Sequence, residues 1–108
     1  MGVYTLYRFE YDQRLGIALP DLTKDWNCLD KATQEEILVQ WEQIRGDIPD
    51  RVKELENQIN AKQAALFNEE NFKRSCEINT EISELASTIN DLWLWFRSQG
   101  EITGKSHH

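Results

Sequence analysis

The sequence predicts an α+β fold that is mostly α-helical, in which an N-terminal β-hairpin precedes a short helix and a long, coiled-coil-like antiparallel helical hairpin. Three observations predict it. Apolar and polar residues alternate near the N-terminus, apolar residues recur every three or four positions in the C-terminal half, and a four-residue polar break divides that half into two helical segments. At 108 residues, the chain is expected to form one domain over residues 1–103.

The longest helix is predicted over residues 71–98, and its apolar stripe organises the rest of the chain. Intervals of four, three, four, three and four residues separate Ile78, Ile82, Leu85, Ile89, Leu92 and Phe96. This spacing keeps the six side chains on one side of an α-helix, as in helices that pack side by side.

The β-hairpin is predicted over residues 3–19. Val3, Thr5, Tyr7, Phe9 and Tyr11 alternate with Tyr4, Leu6, Arg8, Glu10 and Asp12, as expected for a strand with one apolar face. After a turn at residues 12–14, Leu15, Ile17 and Leu19 alternate again, and Pro20 is expected to end the second strand. An isolated hairpin is marginally stable in water, so helices or a second copy of the chain must cover its aromatic face.

Two further helices are predicted over residues 31–45 and 49–67. Gly46 is placed to end the first, and Pro49 suits the first turn of the second. The polar break at residues 68–71 makes helices 49–67 and 71–98 an antiparallel pair. Because these helices would be about 28 Å and about 40 Å long, the helix over residues 31–45 and the hairpin must cover the end of the longer one.

Composition limits the class of partner. The formal net charge is −7, from 19 acidic and 12 basic residues, which argues against direct binding to nucleic acid or to an anionic membrane. We expect the partner to be another protein with a neutral or basic surface. Apolar runs long enough to span a bilayer and a secretory leader are both missing from the sequence, which predicts a cytoplasmic protein.

Catalytic and metal-binding patterns are not found. Residues 104–108 resemble the remainder of a purification tag, which removes His107 and His108 from consideration and leaves no histidine to activate a nucleophile. Cys28 and Cys76 have no metal-ligand spacing and are expected to be reduced thiols. We therefore expect a protein that is not an enzyme and that needs no cofactor or metal.

Aromatic residues form the first candidate site. Trp93, Trp95 and Phe96 at the end of the long helix, together with Tyr7 and Phe9 of the hairpin, could form an apolar contact surface for a partner protein. The alternative is that both tryptophans belong to the core. A partner chain adding a strand to the edge of residues 3–11 is a further alternative, which the charges of Arg8, Glu10 and Asp12 disfavour.

Four acidic residues on the long helix form the second candidate site: Glu77, Glu81, Glu84 and Asp91. They could imitate nucleic-acid phosphates and occupy the binding groove of an enzyme. The structural alternative is ion pairing with the neighbouring helix, with Lys62 beside Glu81 and Arg51 or Lys53 beside Asp91.

Three functions follow as expectations. The first is a non-catalytic interaction module, an adaptor or regulator that uses the aromatic surface. The second is an acidic inhibitor that uses the four carboxylates. The third is a homodimer or larger homo-oligomer that shares the helical seam between chains.

Overall fold

The computed structural model describes residues 6–98, and the α+β, mostly α fold is confirmed. A two-stranded antiparallel sheet is followed by two long helices that pack against each other. The elements in order are β1 (Tyr7–Asp12), β2 (Ile17–Leu22), a 3-10 turn (Trp26–Cys28), α1 (Lys31–Asn68) and α2 (Phe72–Phe96). The predicted strand residues 3–5 and the C-terminal residues 99–108 lie outside the described residues.

The β-hairpin extends further than the sequence predicts at its C-terminal end. We expected Pro20 to end the second strand, but β2 continues to Leu22, and Pro20 lies opposite Phe9. A two-stranded sheet has an open edge on each strand, where the missing N–H of a proline breaks no ladder hydrogen bond. The two-stranded sheet therefore accommodates Pro20 within β2, although a proline would end a strand in the centre of a larger sheet.

Residues 31–68 form one helix, so the prediction of separate helices over 31–45 and 49–67 is wrong. Pro49 lies inside α1, where it removes one hydrogen bond. Gly46 does not adopt the left-handed conformation of a helix-ending glycine, because Gly16 is the one glycine with positive φ among residues 6–98. Neither residue interrupts the backbone.

The apolar stripe of α1 explains why the helix continues. Its buried residues are Ile37, Trp41, Ile48, Val52 and Leu55, which stay on one side of the helix across Gly46 and Pro49. A break near Gly46 would change the phase of this stripe and expose Ile48, which is fully buried. Burying one such side chain contributes about 1.5–3 kcal/mol, and several buried side chains together outweigh the roughly 3 kcal/mol cost of an internal proline.

The core lies where the β-hairpin covers the N-terminal half of α1 and the end of α2. Leu15 and Ile17 of the hairpin join Trp41 of α1 and Leu92 of α2 in one buried cluster. Beyond this cluster the two helices continue as a pair. At about 1.5 Å per residue, α1 is about 57 Å long and α2 about 37 Å, which accounts for a molecule of 60 × 27 × 27 Å.

A short link joins the helices at the far end of the molecule. Glu69 caps the C-terminus of α1, and the Asn71 side chain accepts a hydrogen bond of 2.9 Å from the Arg74 amide at the start of α2. The antiparallel pairing predicted from the polar break at residues 68–71 is confirmed. This end of the helical hairpin carries the two most exposed large apolar side chains of the described chain, Phe67 and Phe72.

Gly46→Ala should stabilise the protein by about 0.5–1 kcal/mol, because alanine lowers the conformational entropy of the unfolded chain and favours a helix interior. An added Cβ at this position would meet nothing within 4 Å. Chemical denaturation followed by circular dichroism measures the change. Destabilisation would show that the helix is not continuous at residue 46.

Gly16→Ala is the matched comparison and should destabilise the protein by more than 1 kcal/mol. Gly16 has a φ of +77°, and an added Cβ would overlap the guanidinium group of Arg51. The same denaturation experiment should therefore separate the two glycines in the sign of the effect. Equal effects would contradict the different roles assigned to them.

Candidate interaction surface

A groove of about 580 Å³ lies between the turn of the β-hairpin and the C-terminal end of α2. We call it the hairpin–helix groove, and its lining residues are Asp12, Arg14, Leu15, Leu19, Asp91, Leu94, Trp95, Arg97 and Ser98. Three leucines and a tryptophan supply apolar surface, while two carboxylates and two guanidinium groups supply charge. This composition suits the binding of an apolar side chain from a polar segment.

The hairpin turn that forms one wall has a closed set of internal hydrogen bonds. The Asp12 side chain accepts a bond of 2.9 Å from the Leu15 amide, and the Gly16 amide donates a bond of 2.7 Å to the Asp12 carbonyl. The left-handed backbone of Gly16 completes the turn into β2. Leu15 is thereby directed into the core, where it is buried.

Arg51 of α1 holds this turn against the helices. Its Nε donates to the Leu15 carbonyl at 2.9 Å, and its Nη2 donates to the Arg14 carbonyl at 3.3 Å. Its Nη1 pairs with Glu54 at 2.9 Å, so the guanidinium group has partners on three sides. The positive φ of Gly16 favours glycine at this position, and the close approach of the Arg51 guanidinium group leaves little room for a side chain.

Arg14 joins the same turn to α2. Its Nη2 lies 2.8 Å from an Asp91 carboxylate oxygen and 3.3 Å from the Ser87 hydroxyl. The prediction that Arg51 or Lys53 would pair with Asp91 is therefore wrong. The turn of the β-hairpin lies next to Asp91 and provides Arg14 as its ion-pair partner. The register between two helices cannot predict a partner that comes from the β-hairpin.

The aromatic end of α2 packs against the core. The Trp95 ring contacts the ring of the fully buried Trp41, with centroids 5.6 Å apart, and Trp93 contacts Phe96 at 5.3 Å. All three residues of the predicted surface on α2 are half-buried and pack against the core cluster. Trp95 also lines the hairpin–helix groove, so it serves both the core and the candidate surface.

Arg45 secures this end of α2 from the opposite side. Its guanidinium carbon lies 5.0 Å from the centre of the Phe96 ring, and its Nη1 donates to the Phe96 carbonyl at 3.0 Å. A cation near the last carbonyl groups of a helix is favourable, and so is a cation above an aromatic face. Phe96 is thereby engaged within the chain.

Tyr7 and Phe9, the predicted contact residues of the hairpin, also face the helices. Their rings contact each other edge to face at 6.0 Å, and both pack against the core cluster. The Tyr7 hydroxyl donates to Glu36 at 2.8 Å and accepts from Gln40 at 2.9 Å. The hydrogen bond to Glu36 raises the pKa of Tyr7 above its usual value. These two residues do not line the hairpin–helix groove.

Leu94 and Tyr11 are two exposed apolar residues near the groove that were not among the predicted site residues. Leu94 lines the groove and is 52% exposed, while Tyr11 is 67% exposed on the hairpin beside a shallow pocket that includes Leu19 and Pro20. One sequence signal was available for Leu94, since it lies off the apolar stripe of α2. For Tyr11, the alternation of β1 wrongly indicated a covered position.

The four acidic residues of α2 are mostly paired. Glu77 binds Arg74 at 3.1 Å, Asp91 binds Arg14, and Glu81 binds both Lys62 at 3.0 Å and Arg74 at 3.3 Å. The predicted pairing of Lys62 with Glu81 is thus observed. The hydrogen bonds from Lys62 and then Arg74 lower the pKa of Glu81.

Glu84 differs from the other three acidic residues. It has no ion-pair partner among residues 6–98 and lines a second groove of about 470 Å³ beside Arg14, Arg51 and Lys62. Those three cations are already bound to other groups. The second groove therefore has no concentration of unpaired charge.

Neither a metal-binding cluster nor a membrane-spanning helix is found in the described part of the chain. Within residues 6–98, no group of three or more His, Cys, Asp or Glu side chains could hold a metal ion. In the same part of the chain, no helix is both long and apolar enough to cross a membrane. Cys28 and Cys76 are exposed and form no disulfide.

Comparison of the chain with family models, curated proteins and solved structures gives no match.

Trp95→Ala should lower the free energy of unfolding by about 2–3 kcal/mol, because it leaves a cavity beside Trp41. Leu94→Ala, which truncates a more exposed neighbour, should change it by less than about 1 kcal/mol. Chemical denaturation measures both. Similar values for the two variants would show that the contact of Trp95 with Trp41 does not stabilise the core.

Acidification should test the pairing of Glu81. A carboxylate with a lowered folded-state pKa stabilises the protein above its unfolded-state pKa, about 4.5, and this stabilisation is lost as the pH falls through the folded-state value. Between about pH 5 and about pH 3, Glu81→Gln should therefore lose less stability than the wild type.

Glu84→Gln is the matched control for this experiment, since Glu84 has no ion pair among residues 6–98. Its loss of stability on acidification should follow the wild type. If Glu81→Gln also follows the wild type, its ion pairs do not contribute to stability.

Proposed function

We propose that this protein is a non-catalytic protein–protein interaction module whose hairpin–helix groove binds a short segment of another protein. The observation that carries the proposal is the exposure of Leu94 beside Trp95 in a groove that structured elements hold on both sides. A half-buried tryptophan next to an exposed aliphatic residue is a typical anchor position, because a partner side chain there removes apolar surface from water.

The charge around the groove indicates the chemistry of the partner segment. Three carboxylates of the hairpin, Glu10, Asp12 and Asp21, surround the exposed Tyr11 next to the groove. Arg8 pairs with Glu10 at 2.8 Å and with Asp21 at 3.2 Å, so this surface keeps a net charge of about −2. The whole chain has a net charge of −7. We therefore propose a segment with an apolar anchor residue for the groove and basic residues for the hairpin side, because opposite charge accelerates association and orients the partner.

The acidic-inhibitor alternative has less support. Three of its four carboxylates are bound to basic side chains of the same chain, which would have to be displaced before they could imitate phosphates. Glu84 alone would provide little affinity, since phosphate-like recognition depends on several charges.

A displayed library of random peptides tests the proposed groove. Peptides enriched on the wild-type protein should contain an apolar residue flanked by Lys or Arg. Leu94→Asp should weaken their binding at least about tenfold, since it introduces a charge into the apolar contact. Fluorescence anisotropy of individual peptides measures the dissociation constants.

Val39→Asp is the matched control, because Val39 is 59% exposed on α1 and does not line the groove. This variant should bind the enriched peptides as the wild type does. Peptides that bind Leu94→Asp with unchanged affinity, or a selection that enriches no such peptide, would contradict the proposal.

A further inference from the structure

All charged side chains of α2 lie on one side of that helix. They are Lys73, Arg74, Glu77, Glu81, Glu84 and Asp91. At about 100° of rotation per residue, these six positions fall within an arc of about 100°. The ion pair of Lys62 on α1 with Glu81 places this arc beside α1 on one side of the helical seam.

The other side of α2 carries no charge along most of its length. Intervals of three or four residues separate Phe72, Ser75, Asn79, Ile82, Ala86 and Asn90, which therefore share one side of the helix. Phe72 is 82% exposed; Asn79, Ala86 and Asn90 are also exposed, and Ser75 and Ile82 are half-buried. Most of this side is therefore left uncovered by the β-hairpin and by α1.

Phe67 of α1 lies on the same side of the helical pair as Phe72 of α2. It lies five residues after Lys62, about 140° around α1, and Phe72 lies two residues before Arg74, about 160° around α2. Both rings thus point away from the ion-paired side. Between residues 57 and 68, Lys62 is the one charged residue of α1, and it is directed to Glu81. We call this surface of both helices the uncharged face.

We propose that the uncharged face binds a second copy of this chain, so that two helical hairpins form a four-helix bundle. The two-fold axis passes near Ile82 and runs perpendicular to the hairpins. In this antiparallel arrangement, Phe72 of each copy meets the partner near the half-buried Trp93. The surface lies apart from the hairpin–helix groove, so the two proposals are independent. The predicted seam is already occupied by the two helices of one chain, and the uncharged face shares with it only the half-buried Ile82, which lies at the border of the two surfaces.

Charge is the first argument for a second copy as the occupant. The chain has a net charge of −7, so most contacts between two copies would bring like charges together. Two uncharged faces meet without that cost. Residues 6–50 contain ten acidic and five basic side chains, and the antiparallel arrangement keeps these two acidic regions at opposite ends of the dimer. Each asparagine amide is both donor and acceptor, so identical faces can satisfy each other.

Area is the second argument. Helix α2 is about 37 Å long and the uncharged stretch of α1, residues 57–68, is about 18 Å long, so at about 10 Å of width per helix the face covers roughly 550 Å². Two such faces would bury roughly 1,100 Å² in total, which lies in the size range of weak interfaces. The exposed Phe67 and Phe72 supply aromatic anchors for such a contact, since aromatic residues dominate interface energetics.

Sedimentation velocity of the full chain measures the first expected result. The mass should be twice 12.7 kDa at about 0.1 mM and should persist in about 0.5 M salt, because an uncharged contact is not screened. A mass of one chain under these conditions would overturn the proposal.

Charged substitutions on the face provide the second test. In the antiparallel dimer, residue 79 of one copy lies beside residue 86 of the other. The double variant Asn79→Glu with Ala86→Glu should therefore weaken the dimer at least about a hundredfold, through repulsion between desolvated carboxylates. Thr80→Glu adds the same charge one position away, outside the uncharged face, and should leave the dimer intact. Equal dissociation by Thr80→Glu would contradict the assigned surface.

Mixing variants tests the symmetry directly. Asn79→Lys with Ala86→Lys should also be monomeric alone, and mixing it with the double glutamate variant should restore a dimer. Circular dichroism should show wild-type helicity for each variant. Phe72→Ala adds no charge and should weaken the wild-type dimer about tenfold. A mixture that stays monomeric, or an unchanged dimer in Phe72→Ala, would overturn the proposal.

Discussion

Burial of one unbroken apolar stripe on α1 is the constraint on which the rest of the structure depends. Trp41 and Ile48 lie on opposite sides of Gly46, and both are fully buried. To bury both against the hairpin and α2, the helix must continue in phase through Pro49. That continuity makes α1 much longer than α2, so that its N-terminal part can cover the aromatic end of α2 and support the β-hairpin.

The β-hairpin occupies the position that this long helix leaves beside the end of α2. Arg51 binds the carbonyl groups of the hairpin turn, and Arg14 of the turn binds Asp91 of α2. Individual surface ion pairs contribute little to stability, but Arg51 is half-buried and donates hydrogen bonds to two carbonyl groups of the turn. Hydrogen bonds therefore hold the β-hairpin that forms one wall of the hairpin–helix groove, and Leu94 and Trp95 provide its apolar lining.

The distribution of charge on α2 separates two surfaces with different uses. On one side, the Lys62–Glu81 ion pair joins the two helices. The other side of α2 has no charged side chain between Phe72 and Asn90, and this surface suits contact with a second helical hairpin. The same helix thus contributes to folding within the chain through one side and, in our proposal, to assembly through the other.

The sequence by itself determined the hairpin, the antiparallel helices and the Lys62–Glu81 pair, because each depends on local periodicity or on register between neighbouring segments. Only the tertiary structure decided that α1 passes through Pro49, since the burial of Trp41 and Ile48 outweighs local helix-breaking preferences. It also decided that Trp95 packs on Trp41 and that Arg14 reaches Asp91. These contacts join residues more than 50 positions apart, and no local pattern specifies how such segments meet in space.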